Sequence, residues 1–316
     1  MAFYYIIVLG DYMIQKCGII GLGAIGGMYA SYLTEMLAKE YVYCICDNER
    51  LNKYKEKPIK INGKPFDFNF VSSENTAVGA MDLIIIATKF HQLASALESI
   101  KNFVGENTII LAAINGVVSE KIIAEAYGSD KVLYCVIQGM DSVKRENEIT
   151  FTNMGVMAFG NELNNKYSVK IQQVAKFFDL SGFNYEIPFN MKKRMWGKFM
   201  LNVGVNQTCA VFDTNYSGYQ QEGKIRQTYI SAMKEAMAVA RAEGVDLSSD
   251  LNYWLRVGDN LTPQSMPSMR QDVLAKRKTE VELFGGTVID LGKKHNIPTP
   301  VNAWLVDKIY EIEKTF

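Results

Sequence analysis

Lys198, Asn202 and Asn206 stand four residues apart in a segment, Met195 to Val211, that is otherwise apolar almost all the way round. Four-residue spacing puts the three on one helix face, drifting about 40° per step. The wall around them is made of Trp196, Phe199, Met200, Leu201, Val203 and Val205. A surface helix carries an apolar stripe on a polar body, whereas a polar stripe on an apolar body holds something polar inside the protein. A lysine with two amides is suited to binding and protonating a carbonyl compound. The alternative is a core helix whose lysine snorkels to water and whose asparagines bond to backbone.

A second chemical signature is Gly21-Leu22-Gly23-Ala24-Ile25-Gly26, a GxGxxG turn directly after the apolar run Cys17 to Ile20. In such a turn the first glycine permits the tight bend and the second lets backbone approach a pyrophosphate. The third allows close packing of helix on strand, and the helix N-terminus supplies N–H donors. Asp47 lies 21 positions beyond Gly26, at the end of the next strand, where a carboxylate accepts hydrogen bonds from a ribose diol. This tilts the cofactor towards NAD. Arg50 is placed to reach a 2′-phosphate, so NADP stays open, and an ordinary Gly-rich βα turn is the reading without a ligand.

Hydride delivery to a carbonyl needs a proton donor. His91 and His295 are the only histidines, and neither has a partner pattern; His295, before Asn296-Ile297-Pro298, reads as a helix C-terminal cap. There is no zinc-ligand spacing. Lys198 is left as the leading donor.

The elements that must position these groups follow from hydrophobic periodicity. Cys17 to Ile20, Tyr41 to Cys46, Leu83 to Ala87, Thr108 to Ala113, Val132 to Ile137 and Val156 to Phe159 read as strands. Helical stretches lie between them at Ala24 to Lys39, His91 to Lys101, Ser119 to Tyr127 and Lys166 to Leu180. Such alternation predicts an α/β domain with a doubly wound, mostly parallel sheet. After Pro188 only helical patterns remain: Lys192 to Phe212, Lys224 to Glu243, Ser249 to Leu261, Ser268 to His295 and Pro300 to Lys314, the last with Thr299 as N-cap and Pro300 at N1. The expected division is a dinucleotide-binding domain over 13–188 and an all-α substrate and catalytic domain over 189–316.

At 316 residues the chain can bury two ordinary cores. Its 34 basic and 34 acidic residues balance, which argues against a nucleic-acid partner. The five cysteines are odd in number and show no metal or CxxC spacing, as expected of reduced, buried, cytoplasmic thiols. Ala2 to Leu9 is apolar but too short to span a bilayer and lacks signal-peptide flanks, so no membrane association is expected. Residues 1–12 read as an extension: Gly10-Asp11-Tyr12 before Met13 is consistent with a translated ribosome-binding sequence and a native start at Met13.

From Met13 to the C-terminus the chain resembles the ketopantoate reductases (2-dehydropantoate 2-reductases). The resemblance is carried by GLGAIGG at Gly21 to Gly27, Ala87-Thr88-Lys89 at a strand end, and Asn115-Gly116 after the next strand. It continues in the Lys-xxx-Asn-xxx-Asn of Lys198, Asn202 and Asn206. Ser268-Met269-Arg270-Gln271-Asp272 followed by Thr279-Glu280 is its most specific part, because Ser and Glu twelve apart are not implied by a dinucleotide loop.

The resemblance implies a Rossmann-type N-terminal domain, a helical C-terminal domain like that of 6-phosphogluconate dehydrogenase, and a 2-oxo acid closing between them. It makes Lys198 the general acid, so that reduction slows at alkaline pH as its proton is lost. Asn202, Asn206 and Ser268 would orient substrate polar groups, and Glu280 would bind the substrate hydroxyl. Asn115 would lie near nicotinamide and substrate, and Lys89 near the cofactor. Each position also has a plain structural reading: Glu280 as a salt-bridged helix residue after Lys276, Arg277 and Lys278; Ser268 as an N-cap; Lys89 as a solvated strand end; Asn115 as a turn former.

Three departures stand out. Asp47 replaces an arginine common in the family, which sets the family's usual NADP against NAD; Ile114 stands where Gln often precedes Asn-Gly; Ser265 stands where Asn is frequent. The expected reaction is reduction of ketopantoate to (R)-pantoate, towards pantothenate and coenzyme A. Alternatives are a reductase of another branched 2-oxo acid, a β-hydroxyacid dehydrogenase-type enzyme, and an NAD(P)-sensing regulator without turnover. The oligomeric state is open, a homodimer among the options.

Overall fold

Strands that read as apolar runs in the sequence pair edge to edge in a computed structural model that describes residues 13–316. The putting-aside of residues 1–12 as an extension concerns residues outside those described. Two compact units result. The first holds the described residues up to Ile114 and Val118–Met191; the second holds Asn115–Val117 and Lys192–Phe316. The division thus falls between Met191 and Lys192, and the Asn115-Gly116-Val117 segment belongs with the helical unit.

The first unit begins with β1 (Cys17–Ile20), α1 (Ala24–Leu37), β2 (Val42–Cys46), α2 (Asn48–Glu56), β3 (Lys60–Ile61), β4 (Lys64–Pro65) and β5 (Phe70–Ser72). It continues with β6 (Met81–Ile86), α3 (Leu93–Ile100), β7 (Val104–Ala112), α4 (Ser119–Tyr127), β8 (Val132–Met140), β9 (Val143–Arg145), β10 (Glu148–Thr150), β11 (Met154–Gly160), α5 (Val169–Ser181) and β12 (Tyr185–Glu186). Eight strands form one sheet in the order β12-β11-β8-β7-β6-β1-β2-β5. From β5 to β8 every pairing is parallel, Ile19 opposite Cys44 on one side and Ile85 on the other; the β11–β8 pairing is antiparallel and β12 follows β11 in parallel, so these two strands run opposite to the rest.

Successive residues of a strand face opposite sides, and both faces are covered. Ile19, Cys44, Leu83, Ile85 and Leu111 enter one core, while Ile20, Ile45, Ile84, Ile86 and Ile110 enter the other. Full burial of each such side chain contributes about 2 kcal/mol, which explains why the central strands are continuous apolar runs without alternation. All five cysteines are buried free thiols.

Three parts of this unit differ from the sequence expectation. A second, four-stranded sheet, β4-β3-β10-β9, is built from strands of two or three residues, below the length at which a period can be read. Helix α2 buries no residue and so has no apolar stripe to announce it; Asp47 starts it as N-cap. The helices expected at His91 and Lys166 begin instead at Leu93 and Val169, after a short 3₁₀ turn and a Ser168 cap respectively.

One buried carboxyl in this unit has a measurable consequence. Glu120, in the first turn of α4, is 6% exposed. Burial pushes its carboxyl up to about 8, partly offset by backbone N–H groups of Glu120 itself and Cys135. A raised acid binds its proton in the folded state first, so its contribution to stability is lost as pH rises from its ordinary value through about 8. Glu120→Gln is therefore expected to match the parent near pH 4.5 and to be more stable above pH 8, by on the order of 4 kcal/mol. Urea titrations at the two pH values check this; an advantage that does not grow with pH contradicts it.

The second unit has no strand among the described residues. Its helices are α6 (Met191–Val211), α7 (Ser217–Gln220), α8 (Lys224–Ala242), α9 (Leu251–Asp259), α10 (Ser268–Leu274), α11 (Thr287–His295) and α12 (Pro300–Glu313). They close on a core that includes Phe199, Met200, Tyr219, Tyr229, Trp254, Phe284 and Leu305. Thr299 and Pro300 take the expected N-cap and N1 positions of α12.

The single helix expected from Ser268 to His295 is broken in two. Arg277 N–H donates to the Asp272 carbonyl at 2.9 Å, its guanidinium pairs with the Asp272 carboxylate, and Lys276 adopts φ +50°. Thr279 is then held by Glu313, which accepts from its N–H at 2.8 Å and its hydroxyl at 2.7 Å. These contacts pull the chain out of the helix, and it re-enters through a π-helical turn, Glu282–Gly286. Among the described residues no helix of either unit is long and apolar enough to cross a membrane.

Candidate active site

In the first unit the Gly-rich turn joins β1 to α1. Gly21 has φ +94°, and a Cβ there would stand 2.6 Å from Thr88 Cγ2 and 2.7 Å from the Ala87 carbonyl oxygen. At Gly26 a Cβ would meet the Gly21 carbonyl oxygen at 2.1 Å. Both positions are closed by the protein itself. Gly23 is different: its Cβ would find nothing nearer than the Ala87 oxygen at 4.0 Å, so the absence of a side chain leaves open space above the backbone. Gly23 is also the N-cap of α1 and makes no side-chain cap, so the helix presents N–H donors around Ala24 and Ile25 without a protein acceptor from that residue. Leu22, between the first two glycines, is buried. A cradle lined with N–H donors fits a dinucleotide pyrophosphate.

Two neighbours support that fit. Thr88, after β6, has a buried hydroxyl with no hydrogen-bond partner. Lys89, next to it, is exposed and caps a short 3₁₀ turn, Phe90–Gln92. At the end of β2, Asp47 is already engaged on both oxygens: Oδ1 accepts from the Arg50 N–H at 2.7 Å and Oδ2 from Arg50 Nη1 at 3.0 Å. Asp47 is thus a helix cap with a bound guanidinium.

In the second unit the polar stripe of α6 is as drawn from the sequence. From Met195 to Ala210 every residue is buried except Lys198 and Asn202, which are half-buried. Lys198 Nζ donates to Asn115 Oδ1 at 2.9 Å, an interaction that orients the ammonium. Asn115 sits on a bend with Gly116 at φ +108°, and a Cβ at Gly116 would meet Leu283 at 2.7 Å, so the Asn-Gly turn packs directly on the π-helical turn. Asn115 is therefore both a turn residue and a partner of the lysine.

Asn206 Oδ1 accepts from the Met269 N–H at 3.2 Å and from the Ser268 hydroxyl at 3.3 Å. This asparagine anchors the start of α10. Pro267, not Ser268, occupies the N-cap position, which leaves Ser268 as an exposed first-turn residue. Glu280 is half-buried and lies outside any helix, its carbonyl accepting from the Leu283 N–H at 3.0 Å at the mouth of the π turn. π turns concentrate at functional sites because the extra residue redirects side chains.

The histidines have no place in either set. His91 lies in the 3₁₀ turn, and His295 pairs with the Glu243 carboxylate beside Lys294, while Asn296 in the left-handed conformation terminates α11. The expected capping role of His295 belongs to Asn296. Among the described residues no group of three or more His, Cys, Asp or Glu could hold a metal ion.

Three residues at the dinucleotide turn are not visible as candidates in the sequence. Thr88 is hidden beside Lys89. Ser142 donates to the Ala24 carbonyl at 2.8 Å, and Lys144 Nζ to the Leu22 carbonyl at 2.6 Å. Both come from the segment leading into and along β9, more than a hundred residues from the turn, and no local pattern joins them to it.

Comparison with known proteins agrees with this arrangement. Residues 17–163 match the family described as ketopantoate reductase PanE/ApbA, and residues 190–313 match its C-terminal domain. The 2-dehydropantoate 2-reductase of Aquifex aeolicus is 26% identical over 311 residues, covering 94% of this chain and 96% of that protein. Among solved structures, D-mandelate dehydrogenase with NADH and anilino(oxo)acetate superposes with a TM-score of 0.83 at 22% identity, over 95% of this chain and 98% of that one. A PanE/ApbA family ketopantoate reductase from Ralstonia eutropha gives 0.80 at 21% identity, over 95% and 99%. With a Gly-rich dinucleotide turn in one unit, a lysine-asparagine stripe in the other and family matches across both, the chain belongs to the ketopantoate reductase family of nicotinamide-dependent oxidoreductases.

Proposed function

We propose that the protein is a 2-dehydropantoate 2-reductase, reducing ketopantoate to (R)-pantoate, with Lys198 as general acid. The observation that carries this reading is the Lys198 to Asn115 contact of 2.9 Å on an otherwise buried helix. Structural lysines seldom sit half-buried on such a helix with an amide acceptor and two further amides in line.

The first unit would hold the cofactor through the Gly21 to Gly26 turn, the Thr88 hydroxyl and Lys89, and when bound its nicotinamide supplies hydride to the C2 carbonyl carbon. Lys198 gives a proton from Nζ to the carbonyl oxygen as it becomes an alkoxide, and Asn115 Oδ1 holds the ammonium in position. The Asn202 side chain is half-buried on α6 and makes no side-chain hydrogen bond among the described residues, so its amide is available to a substrate carboxylate. Ser268 donates its O–H to Asn206 Oδ1 at 3.3 Å, which leaves its hydroxyl oxygen as an acceptor for a substrate hydroxyl. Glu280 accepts from the substrate hydroxyl that distinguishes ketopantoate from simpler branched 2-oxo acids. The carboxylate of a 2-oxo acid suits a cation and neutral donors, and its hydroxyl suits a separate acceptor.

Initial rates with ketopantoate, using NADPH and NADH in parallel, test this. Cofactor consumption with stoichiometric pantoate, and slower turnover of 2-oxoisovalerate, is the expected result. Cofactor binding without consumption across a panel of 2-oxo acids would show a nucleotide sensor instead.

A further inference from the structure

Glu280 lies outside any helix, so no helical ladder fixes its backbone. The chain is tied down instead on either side of it, and both ties lead to α12. On one side Glu313 Oε1 accepts from the Thr279 N–H at 2.8 Å and from the Thr279 hydroxyl at 2.7 Å. On the other the Tyr310 hydroxyl donates to the carboxylate of Glu282, the first residue of the π-helical turn. Tyr310 and Glu313 are three residues apart and so share one face of α12.

The Thr279 contact also shapes the backbone at Glu280. Thr279 is buried, and the Val281 N–H donates back to its hydroxyl oxygen at 3.3 Å, so Glu280 is the central residue of a turn closed by that hydroxyl. A hydroxyl has one proton, and giving it to Glu313 leaves the lone pairs for Val281. Because the acceptor is a carboxylate, the donation is charge-assisted and strengthens the acceptance behind it. The direction in which the Glu280 side chain leaves the backbone is therefore set from α12.

That helix is in turn locked to its neighbours. Glu235 on α8 accepts from the N–H groups of Val301 at 2.8 Å and Asn302 at 2.9 Å, and from the Asn302 side chain at 2.7 Å. Asn302 Oδ1 accepts from Gln207, a fully buried residue of α6, at 2.9 Å. The helix that grips the Glu280 turn is thus tied to the helix that carries Lys198.

We infer that Glu313 is a positioning residue for substrate selection: by holding Thr279 it fixes the turn that presents the Glu280 carboxylate, and so sets how strongly a 2-oxo acid bearing a hydroxyl is preferred to one without. This rests on the proposed role of Glu280 and deepens it.

Initial rates with ketopantoate and 2-oxoisovalerate test the inference in the parent, Glu313→Ala, Glu313→Gln, Glu280→Ala and the double variant Glu280→Ala with Glu313→Ala, beside thermal melting to show that each is folded. Glu313→Ala is expected to lower the ratio of kcat/KM values, ketopantoate over 2-oxoisovalerate, by about 10-fold, mostly through the KM for ketopantoate. Glu313→Gln still offers an oxygen to Thr279 and should keep the ratio within about 3-fold of the parent. In the double variant the ratio should match that of Glu280→Ala, because a residue that acts through Glu280 then has nothing to act on. Should Glu313→Ala fail to fold, Thr279→Val, which deletes the hydroxyl that Glu313 holds, still has to lower the ratio. An unchanged ratio, equal losses for both substrates, or a further loss of ratio in the double variant each overturns the assignment of Glu313. A parent that does not prefer ketopantoate, or a preference that Glu280→Ala leaves unchanged, overturns the reading of Glu280 as well, and so separates the two failures.

Discussion

Replacing Lys198 with alanine is expected to lower turnover of saturating ketopantoate by 10²- to 10⁴-fold, the usual worth of a positioned general acid. Dinucleotide affinity should be unchanged, because the Gly-rich turn and its phosphate-binding donors belong to the first unit and Lys198 to the second. The fold should also survive. Lys198 is half-buried, so water can take its place at Asn115 Oδ1, and the buried body of α6 from Met195 to Ala210 remains in contact with its core. Steady-state kinetics beside cofactor titration and a melting curve provide the check. Unchanged turnover at saturation would remove Lys198 from the chemistry, whereas a rise in KM at constant kcat would make it a binding residue only.

Glu280→Ala is expected to change which substrate is used more than how fast the chemistry runs. A site that hydrogen-bonds a substrate hydroxyl discriminates strongly against an analogue lacking it, because its buried polar group is left without a partner. For ketopantoate kcat/KM should fall by about 10²-fold or more, while for 2-oxoisovalerate, which lacks that hydroxyl, the change should stay within about 3-fold. Glu280→Gln should lie between, since the amide oxygen still accepts but without charge. Equal losses for both substrates would assign Glu280 to the π-helical turn alone, where its carbonyl already accepts from Leu283.

The segment that contains Glu280 shows where local reasoning stops. Between Ser268 and His295 apolar residues recur at helical spacing on both sides of the polar run Lys276 to Glu280, and no proline interrupts the segment. The break at residues 275–280 comes from partners that local spacing does not identify: Thr279 is held by Glu313, 34 residues on, with the Arg277 to Asp272 pair closing the preceding turn. Had the helix continued, Glu280 would have remained the salt-bridged helix residue that its neighbours Lys276, Arg277 and Lys278 suggest. The same holds in the first unit for β3, β4, β9 and β10. Strands of two or three residues carry too few side chains to show a period, yet they position Lys144.

Other parts were legible because their cause is local. The turn at Gly21 needs a residue that tolerates φ +94° and lacks a Cβ, and the strand before it and helix after it are visible as apolar runs. The stripe of α6 is legible for a related reason: an apolar helix with one polar line has few packed solutions, and here the wall is buried, Lys198 and Asn202 are half-open and Asn206 is buried against the start of α10. Asp47 is intermediate. Its position after β2 was readable, but its engagement by both the N–H and guanidinium of Arg50 is a matter of how α2 begins.

By itself, then, the sequence determined the parallel sheet, the helical second unit, the dinucleotide turn and the Lys198, Asn202, Asn206 face. Each arises from periodicity or backbone freedom within a few residues, where covalent geometry alone relates the side chains. Only the tertiary structure decided that Asn115 partners Lys198 across 83 positions, that Asn206 anchors Ser268 across 62, and that Lys144 meets the turn at Leu22 across 122. Those pairings depend on how chain crossings bring remote segments together, and no spacing between neighbours encodes them.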